Sequence, residues 1–567
     1  MKHKNRKPAV FIAPSLDKSA YDQKKMTGDK TVSGRLFYLS LQAIINAVII
    51  GVIAKGLVGL INLITNISFY GKFSFGEASP AHNQLGLWVI IIPVIGGLII
   101  GVMARLGSAA IRGHGIPEAM EQVLTNESRI KPVITILKPL SAAISIGTGG
   151  PFGAEGPIIS TGGAFGSFAG QIMHISPNER KIMLTAGATA GMAAIFGTPV
   201  AAVLLAIELL LFEFSPRTII PVALACATGA AMHILMFGSG PVFPMPAFPA
   251  PDAQALAWYV LGGAIIGVLA AFVSKSIYLI EDLFEKLPIH WMWWPAIGAI
   301  VIGVTGYFAP YTLGVGYNNI TSLLSGQLPL AMVLGLCFMK YISWSISLGS
   351  GTSGGTLAPL MTIGGASGVL FGLIVLHFFP ESHINLSVCA LIGMAAMFAG
   401  AARALLTAVV FAFEATMQPH GLLPLLGACT ASYFVSFFLM KGSIMTEKIE
   451  RRGVAAPNSY EPDILQRLKV ADIMETMPEP VGAINTSVFV YPDAPLSNAV
   501  DLISLHKLDI LPVLNPADNT LSGLLTPARI LDAYSNSRNA AEQYQQVFSI
   551  RRRRNRLLIR SRHLFSR

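Results

Sequence analysis

The sequence predicts an all-α polytopic membrane protein made of two related halves of broken and tilted helices, with a small α/β domain after it. Three observations carry this. The 567 residues are 53% hydrophobic and only 12% charged, with a mean hydropathy of +0.60. A soluble body at that balance would expose too much apolar surface. The apolar runs are repeatedly interrupted by Gly and Pro. The chain also contains an internal repeat.

Apolar runs lie near 37–66, 88–106, 133–150, 157–174, 181–214, 218–237, 256–280, 290–308, 328–348, 357–379, 385–417 and 420–440. Several are shorter than the roughly 20 residues of a simple span. Lipid excludes unpaired backbone unless it lines a cavity within protein. The interrupted runs are therefore expected to be half-helices that meet inside the molecule. Gly 55 plus Pro 35 makes 90 residues, a content that close-packed membrane helices tolerate. The four cysteines, Cys226, Cys337, Cys389 and Cys429, sit in apolar runs without paired spacing. That excludes a disulfide scaffold and a structural zinc site.

The repeat appears when 138-KPLSAAISIGTGGPFGAEGPIISTGGAFG is set against 340-KYISWSISLGSGTSGGTLAPLMTIGGASG, at an offset of 202 without a gap. Twelve of 29 positions are identical, Lys138, Gly149, Gly153 and Pro157 among them. The register continues through 191-GMAAIFG and 393-GMAAMFA, after which about four extra residues precede Glu414, the counterpart of Glu208. Duplicated halves with a Gly/Pro-interrupted segment at matched places point to a transport site between them. Helix parity, and with it inversion of the second half, is not countable from these short runs.

Net charge is 40 − 30 = +10. The first 35 residues hold nine Lys/Arg against three Asp, and the last 27 hold eight Arg, with a run at 551–554. Cationic ends on an apolar body predict both termini on the cytoplasmic side of a cell membrane, next to anionic lipid. No aromatic platform accompanies the Arg run, so nucleic acid is not an expected partner. Residues 1–35 lack an apolar core, so no secretory signal peptide is expected. The expected divisions are a basic tail at 1–36, a transmembrane domain at 37–450 (halves about 37–240 and 255–450), a linker at 451–469, an α/β domain at 470–537 and an Arg-rich tail at 538–567. In the α/β domain the pattern reads VADIM at 470–474, a strand-like VFVYP at 488–492, a helix from 496, a strand at 510-ILPVL, a turn at 515-NPADN, a strand at 521-LSGLL and a helix from about 527.

Three glycine-rich clusters, 113-GHGIPE, 153-GAEGP and 354-GGTLAP, each pair glycine with Pro near a helix start. A helix N-terminus offers free N–H donors and a positive dipole end, and glycine allows close approach. Several such starts aimed at one point bind an anion without a fixed cation, which leaves it free to depart. Glu155 is an acid in an otherwise uncharged stretch, and an intramembrane carboxylate is a functional candidate by default. Its own carboxylate is expected to take the anion's place, and its protonation to free the site. Glu208 and Glu414 are read as structural acids that bond loops within their own halves. Lys138 and Lys340, also matched, are left between holding loops and raising the inward potential.

At these residues the chain resembles the CLC family of chloride channels and chloride/proton antiporters, whose three signatures appear in order as 113-GHGIP, 153-GAEGP and 355-GTLAP. The resemblance covers about 37–450. It implies two inverted repeats, a homodimer with a pore in each subunit, and Glu155 as the gating glutamate. It also implies anion contacts from Gly113, His114, Gly115, Ala154, Gly156, Thr356 and Leu357. His114 stands where the family often has a serine facing the central ion, and Met445 falls on the family's tyrosine near the final helix. Leu209 occupies the antiporters' inner proton-glutamate position. An aliphatic residue passes no proton, so conduction of chloride is favoured. Glu208 or Glu213 is kept as a substitute proton path, with antiport the alternative. Residues 470–537 resemble a CBS module, which needs a second copy from the other subunit. Arg529 follows Thr526 where ligand-binding versions carry an acid, so a nucleotide is not expected, and no other cofactor is. Covalent chemistry is not expected, because no Ser/His/Asp or His-rich metal constellation lies in the apolar region. A membrane-anchored sensor is a remote alternative, since an anchor needs neither Glu155 nor a duplicated pore.

Overall fold

The computed structural model describes residues 29–454, 457, 465, 468–476, 488–516 and 520–535. Of the expected tail at 1–36, residues 1–28 lie outside the described residues and 29–36 already belong to the first helix; the expected tail at 538–567 and the turn residues 517–519 also lie outside the described residues. The chain divides into two compact units, 1–458 and 459–567.

The first unit is helical. Its first half runs α1 (Asp29–Tyr70), α2 (Ile91–Leu106), α3 (Ile116–Leu124), α4 (Ile134–Gly147), α5 (Glu155–Ile172), α6 (Pro177–Phe196), α7 (Pro199–Leu205, prolonged by a π turn at Ala206–Leu211) and α8 (Pro216–Phe237). The second half repeats the order. It runs α9 (Ala253–Glu285), α10 (Trp294–Phe308), α11 (Tyr317–Leu324), then α12 (Leu330–Leu334) and α13 (Lys340–Gly349) joined by a π turn at Gly335–Met339. After these come α14 (Leu357–Phe378), α15 (Leu386–Ala402), α16 (Leu405–Thr416) and α17 (Leu422–Leu439). A short α18 (Glu447–Arg451) closes the unit. The repeat seen over 60 residues of sequence thus extends through both halves. Among the described residues eight helices are long and apolar enough to cross a membrane, and four more apolar helices are shorter. The molecule is a multi-pass membrane protein.

The centre of each half is a pair of helices packed through glycine. In the first half, Gly162 on α5 and Gly187 on α6 meet backbone to backbone, with no room for a Cβ on either. Gly364 on α14 and Gly393 on α15 repeat the contact. Close backbone approach gives van der Waals contact where no hydrophobic force acts between helices. Helices α6 and α15 are buried along almost their whole lengths. Each ends in a left-handed residue, Gly197 or Arg403, that turns the chain into the next helix. The start of α6 is fixed by a capping box of Ser176 and Glu179, and Glu179 also receives Arg35 of α1 at 2.5 and 2.8 Å.

The expected breaks fall at 148–154 and 350–356, where α4 meets α5 and α13 meets α14. There Gly153 and Gly355, equivalent positions of the repeat, form an antiparallel bridge. Their amides and carbonyls exchange hydrogen bonds of 3.0 and 3.3 Å. Antiparallel pairing of equivalent residues requires a two-fold axis between them, so the second half is inverted relative to the first. The equivalent helices α7 and α16 also pack against each other.

The exit from this unit lies later than the expected linker start at 451. Arg451 ends α18 and pairs with Asp282, Arg452 pairs with Glu121, and Val454 still packs on the core. Ion pairs and one apolar contact outweigh the polar composition there.

The second unit has a three-stranded antiparallel sheet, order β1 (Glu475–Thr476), β3 (Leu521–Leu525), β2 (Leu511–Leu514). Helix α19 (Leu496–His506) and a helix at 527–535 complete the α/β unit, around Val470, Val490, Leu496, Leu511, Val513, Leu525 and Ile530. The expected strand at 488–492 is only a single bridge, Val490 to Val513. Pro492, two residues on, where the ladder would next need a donor, has no N–H to extend it.

Candidate anion site

Four helix starts surround the break. Helix α3 begins after Gly113 and Gly115, both at positive φ (94° and 92°). Helix α11 begins in the same way after Gly314 and Gly316 (70° and 76°). Helices α5 and α14 begin at Glu155 and Leu357, equivalent residues of the repeat. This fourth start, 314-GVGY, was missed in sequence because it sits one residue off the 202 register. Its G-x-G spacing was the available signal.

The starts are tied together across the two halves. The Gly113 amide donates to Thr352 O at 3.3 Å, and the Gly314 amide donates to Gly149 O at 3.0 Å. The His114 carbonyl and the Gly355 Cα both press on the Cα of Gly156, where a Cβ has no space. Behind each loop lies a buried lysine. Lys138 Nζ donates to Ile111 O (2.8 Å) and Gly113 O (2.9 Å). Lys340 Nζ donates to Thr312 O (2.8 Å) and Gly314 O (3.0 Å). Both lysines hold loops, which resolves the alternatives left open by sequence.

Glu155 has no exposed surface. Its Oε1 accepts the Ala358 amide at 2.6 Å, and its Oε2 accepts the Tyr317 hydroxyl at 3.2 Å. The carboxylate therefore lies on the first turn of α14, in the opposite half, where free N–H groups and the dipole favour negative charge. The shortest bond comes from the amide of Ala358, one residue beyond the expected pair Thr356 and Leu357, and the Leu357 amide of that pair adds a weaker one. Gly153 makes the pose feasible, because a Cβ there would collide with both carboxylate oxygens. In the equivalent place of the other half Leu357 has no charge, so only one carboxylate occupies the two-fold core.

The remaining expected residues fall as follows. His114 is buried and its Nδ1 has no hydrogen-bond partner. The Gly115 amide is engaged by Glu118 Oε2 at 2.6 Å, so it is spent on a capping contact and not offered to an ion. Glu118 also binds Lys448 at 2.7 Å, and sequence gave its own signal in the E of GHGIPE. Ala154 and Gly156 are buried beside Glu155, and Thr356 Oγ1 is buried without a partner. Met445 is buried in the bend before α18, its amide donated to Ser443 Oγ at 3.2 Å. Beside it Tyr278 of α9 donates to Ile444 O at 2.6 Å.

Glu208 and Glu414, expected to bond loops within their own halves, bond across the two halves. Glu208 accepts the amides of Leu406 and Thr407 (3.0 and 2.9 Å), and Glu414 accepts those of Val200 and Ala201 (3.1 and 2.9 Å). The difference from the expectation has a physical reason: a two-fold axis brings the start of the equivalent helix to each acid. Glu213 is half-exposed and lies 3.7 Å from Lys181.

A cavity of about 1250 Å³ reaches Gly113 and His114, lined also by Arg112, Glu118, Tyr278 and Lys448. Among the described residues no group of His, Cys, Asp and Glu is placed to hold a metal ion.

A family model described as voltage gated chloride channel matches residues 96–437. Chloride channel protein CLC-e of Arabidopsis thaliana is 28% identical over 461 residues, covering 75% of this chain and 63% of that relative. The chain thus spans less than two-thirds of that relative's length. The H(+)/Cl(-) exchange transporter ClcA of Vibrio cholerae is 31% identical over 329 residues, 55% of this chain and 69% of the relative. Among solved structures, a slow cyanobacterial Cl-/H+ antiporter superimposes with a TM-score of 0.65 at 23% identity, over 73% of this chain and 97% of that one. A CLC-type fluoride/proton antiporter superimposes with a TM-score of 0.58 at 20% identity, over 72% of this chain and 97% of that one.

Proposed function

The chain belongs to the voltage gated chloride channel (CLC) family, and from that premise we propose that it carries chloride or a similar small anion across a cell membrane, through a path in each subunit of a homodimer that Glu155 opens and closes. The observation that carries this is the Glu155 carboxylate lying 2.6 Å from the Ala358 amide. It occupies a place made for an anion: a helix start, free amides and no fixed counter-charge in contact. Protonation removes its charge, weakens its hold on the amide and vacates the place. The Gly113–His114 loop and the Thr356–Leu357–Ala358 turn are the ion's partners in this reading, with the orphaned Nδ1 of His114 and the orphaned Oγ1 of Thr356 the side-chain atoms left to meet it.

Passive conduction is the favoured mode. Leu209 is buried and carries no proton, Glu208 is committed to the α16 amides, and Glu213 stands by Lys181 at the surface. The second reading, proton-coupled exchange, is favoured by the names of the relatives, several of which are proton exchangers or antiporters. Both termini face the cytoplasm in this proposal, and the second unit is a CBS-like module without a nucleotide.

The test is flux from liposomes holding the purified protein. Chloride efflux without stoichiometric proton uptake supports conduction, and reversal potentials that follow a pH gradient at a fixed ratio establish exchange instead. Glu155→Gln is expected to abolish the pH dependence of flux. An unchanged pH response removes Glu155 from the gate.

A further inference from the structure

We propose that Tyr317 is a positioning residue for Glu155, a fixed post whose hydroxyl holds the carboxylate in its seat and sets the pH at which it lets go. The inference rests on the gating role proposed for Glu155.

Glu155 has two acceptor oxygens, and each finds a donor from the opposite half. One is the Ala358 amide and the other is the Tyr317 hydroxyl at 3.2 Å. Tyr317 is the first residue of α11, at the fourth glycine-led helix start. Its position corresponds to Ile116 in the first half, so the hydroxyl has no symmetric counterpart. Like Glu155 against Leu357, it marks where the two halves differ, and the two differences touch each other.

The ring is held by its surroundings. Phe196 and Phe243 lie edge-on to it at 5.7 and 5.9 Å, and Phe196 meets Phe411 of α16 at 5.0 Å. Such edge-to-face contacts define a ring's orientation. The hydroxyl thus stays in place while the more flexible Glu155 side chain moves, and it bonds the carboxylate only in the seated position. The ionisable groups that face Glu155 are Tyr317 and, at longer range, Lys340, whose Nζ is engaged by two carbonyls. Among these, Tyr317 is the one whose side chain donates to the carboxylate.

A donor to a charged carboxylate favours the charged form over the protonated one. Tyr317→Phe keeps the ring in its box and removes only the donor. Glu155 then accepts a proton at lower acidity, and half-maximal chloride flux moves to higher pH. At 3.2 Å the bond is at the weak end of its class, so the expected shift is about 0.5–1 pH unit.

The experiment measures chloride flux from liposomes against pH for the wild type, Tyr317→Phe, Glu155→Gln and the double variant, with thermal melting in detergent to verify folding. The expected result is an upward shift for Tyr317→Phe with the same maximal flux at low pH, and a double variant as flat as Glu155→Gln. If Glu155→Gln is flat but Tyr317→Phe follows the wild-type curve, the inference falls while the gate stands. If Glu155→Gln keeps the wild-type pH response, the gate itself falls and the inference with it. A folded Tyr317→Phe protein that conducts at no pH also overturns the inference, because a positioning residue shifts the curve and does not abolish it.

Discussion

Glu208 and Glu414 cap each other's helices. Glu208, in the last turn of α7, accepts the first amides of α16, and Glu414, in the last turn of α16, accepts the first amides of α7. Thr407 Oγ1 adds a bond to Glu208 at 2.6 Å. The two helices therefore run antiparallel, each with an acid at the positive end of its neighbour. The inverted repeat is clasped by its own symmetry.

Breaking one side of this clasp leaves two helix-start amides without an anion. Glu208→Gln and Glu414→Gln are each expected to lower stability by about 1.5–3 kcal/mol, the range for a hydrogen bond to a charged group. The double variant is expected to lose less than the sum, since both act on one helix pair. Thermal unfolding in detergent measures this. Strict additivity would show that the two caps act independently.

Gly153→Ala tests the seat of Glu155 without touching the glutamate. The added methyl occupies the place of both carboxylate oxygens. Chloride flux at neutral pH is expected to rise toward that of Glu155→Gln. Flux that stays low and follows the wild-type pH curve would mean that the carboxylate does not rest where it lies here.

Lys138 and Lys340 make the same pair of bonds to equivalent loops, so their loss is expected to be similar. Lys138→Met and Lys340→Met each strand two buried carbonyls, at a cost of about 1–3 kcal/mol per unsatisfied group. Melting temperatures should fall by like amounts. A fall for only one variant would show that the two loops are held by different means.

Glu179, at the start of α6 and outside the candidate spans, is pulled down to about 2, chiefly by its hydrogen bonds from Arg35 and then by those from Ser176. Its folded value lies below the ordinary 4.5, so the ionised group stabilises the fold fully above about pH 4.5. That contribution is lost as pH falls toward 2. The melting gap between the wild type and Glu179→Gln is expected to be widest near neutral pH and to close on acidification below 4.5. A gap that widens with acid would contradict the sign.

Much of the fold was legible. Twelve identities at one offset announced the duplication, and Gly149, Gly153 and Pro157 marked the break between α4 and α5. The lone acid Glu155 stood out against its uncharged surroundings. What escaped is what no local pattern encodes. Tyr317 reads as one aromatic among many until the chain places its hydroxyl by a residue 162 positions away. The partners of Glu208 and Glu414 lie about 200 positions off, and a strand-like run at 488–492 was cut short by Pro492.

By itself the sequence determined that this is a membrane protein in two related halves, because hydropathy, glycine placement and repeated identities are written along the chain. Only the tertiary structure decided that the halves are inverted, that each holds the other's helix starts, and that Glu155 and Tyr317 meet. The reason is physical: a two-fold axis is a relation between distant segments, and an anion site made of helix ends exists only where those ends converge.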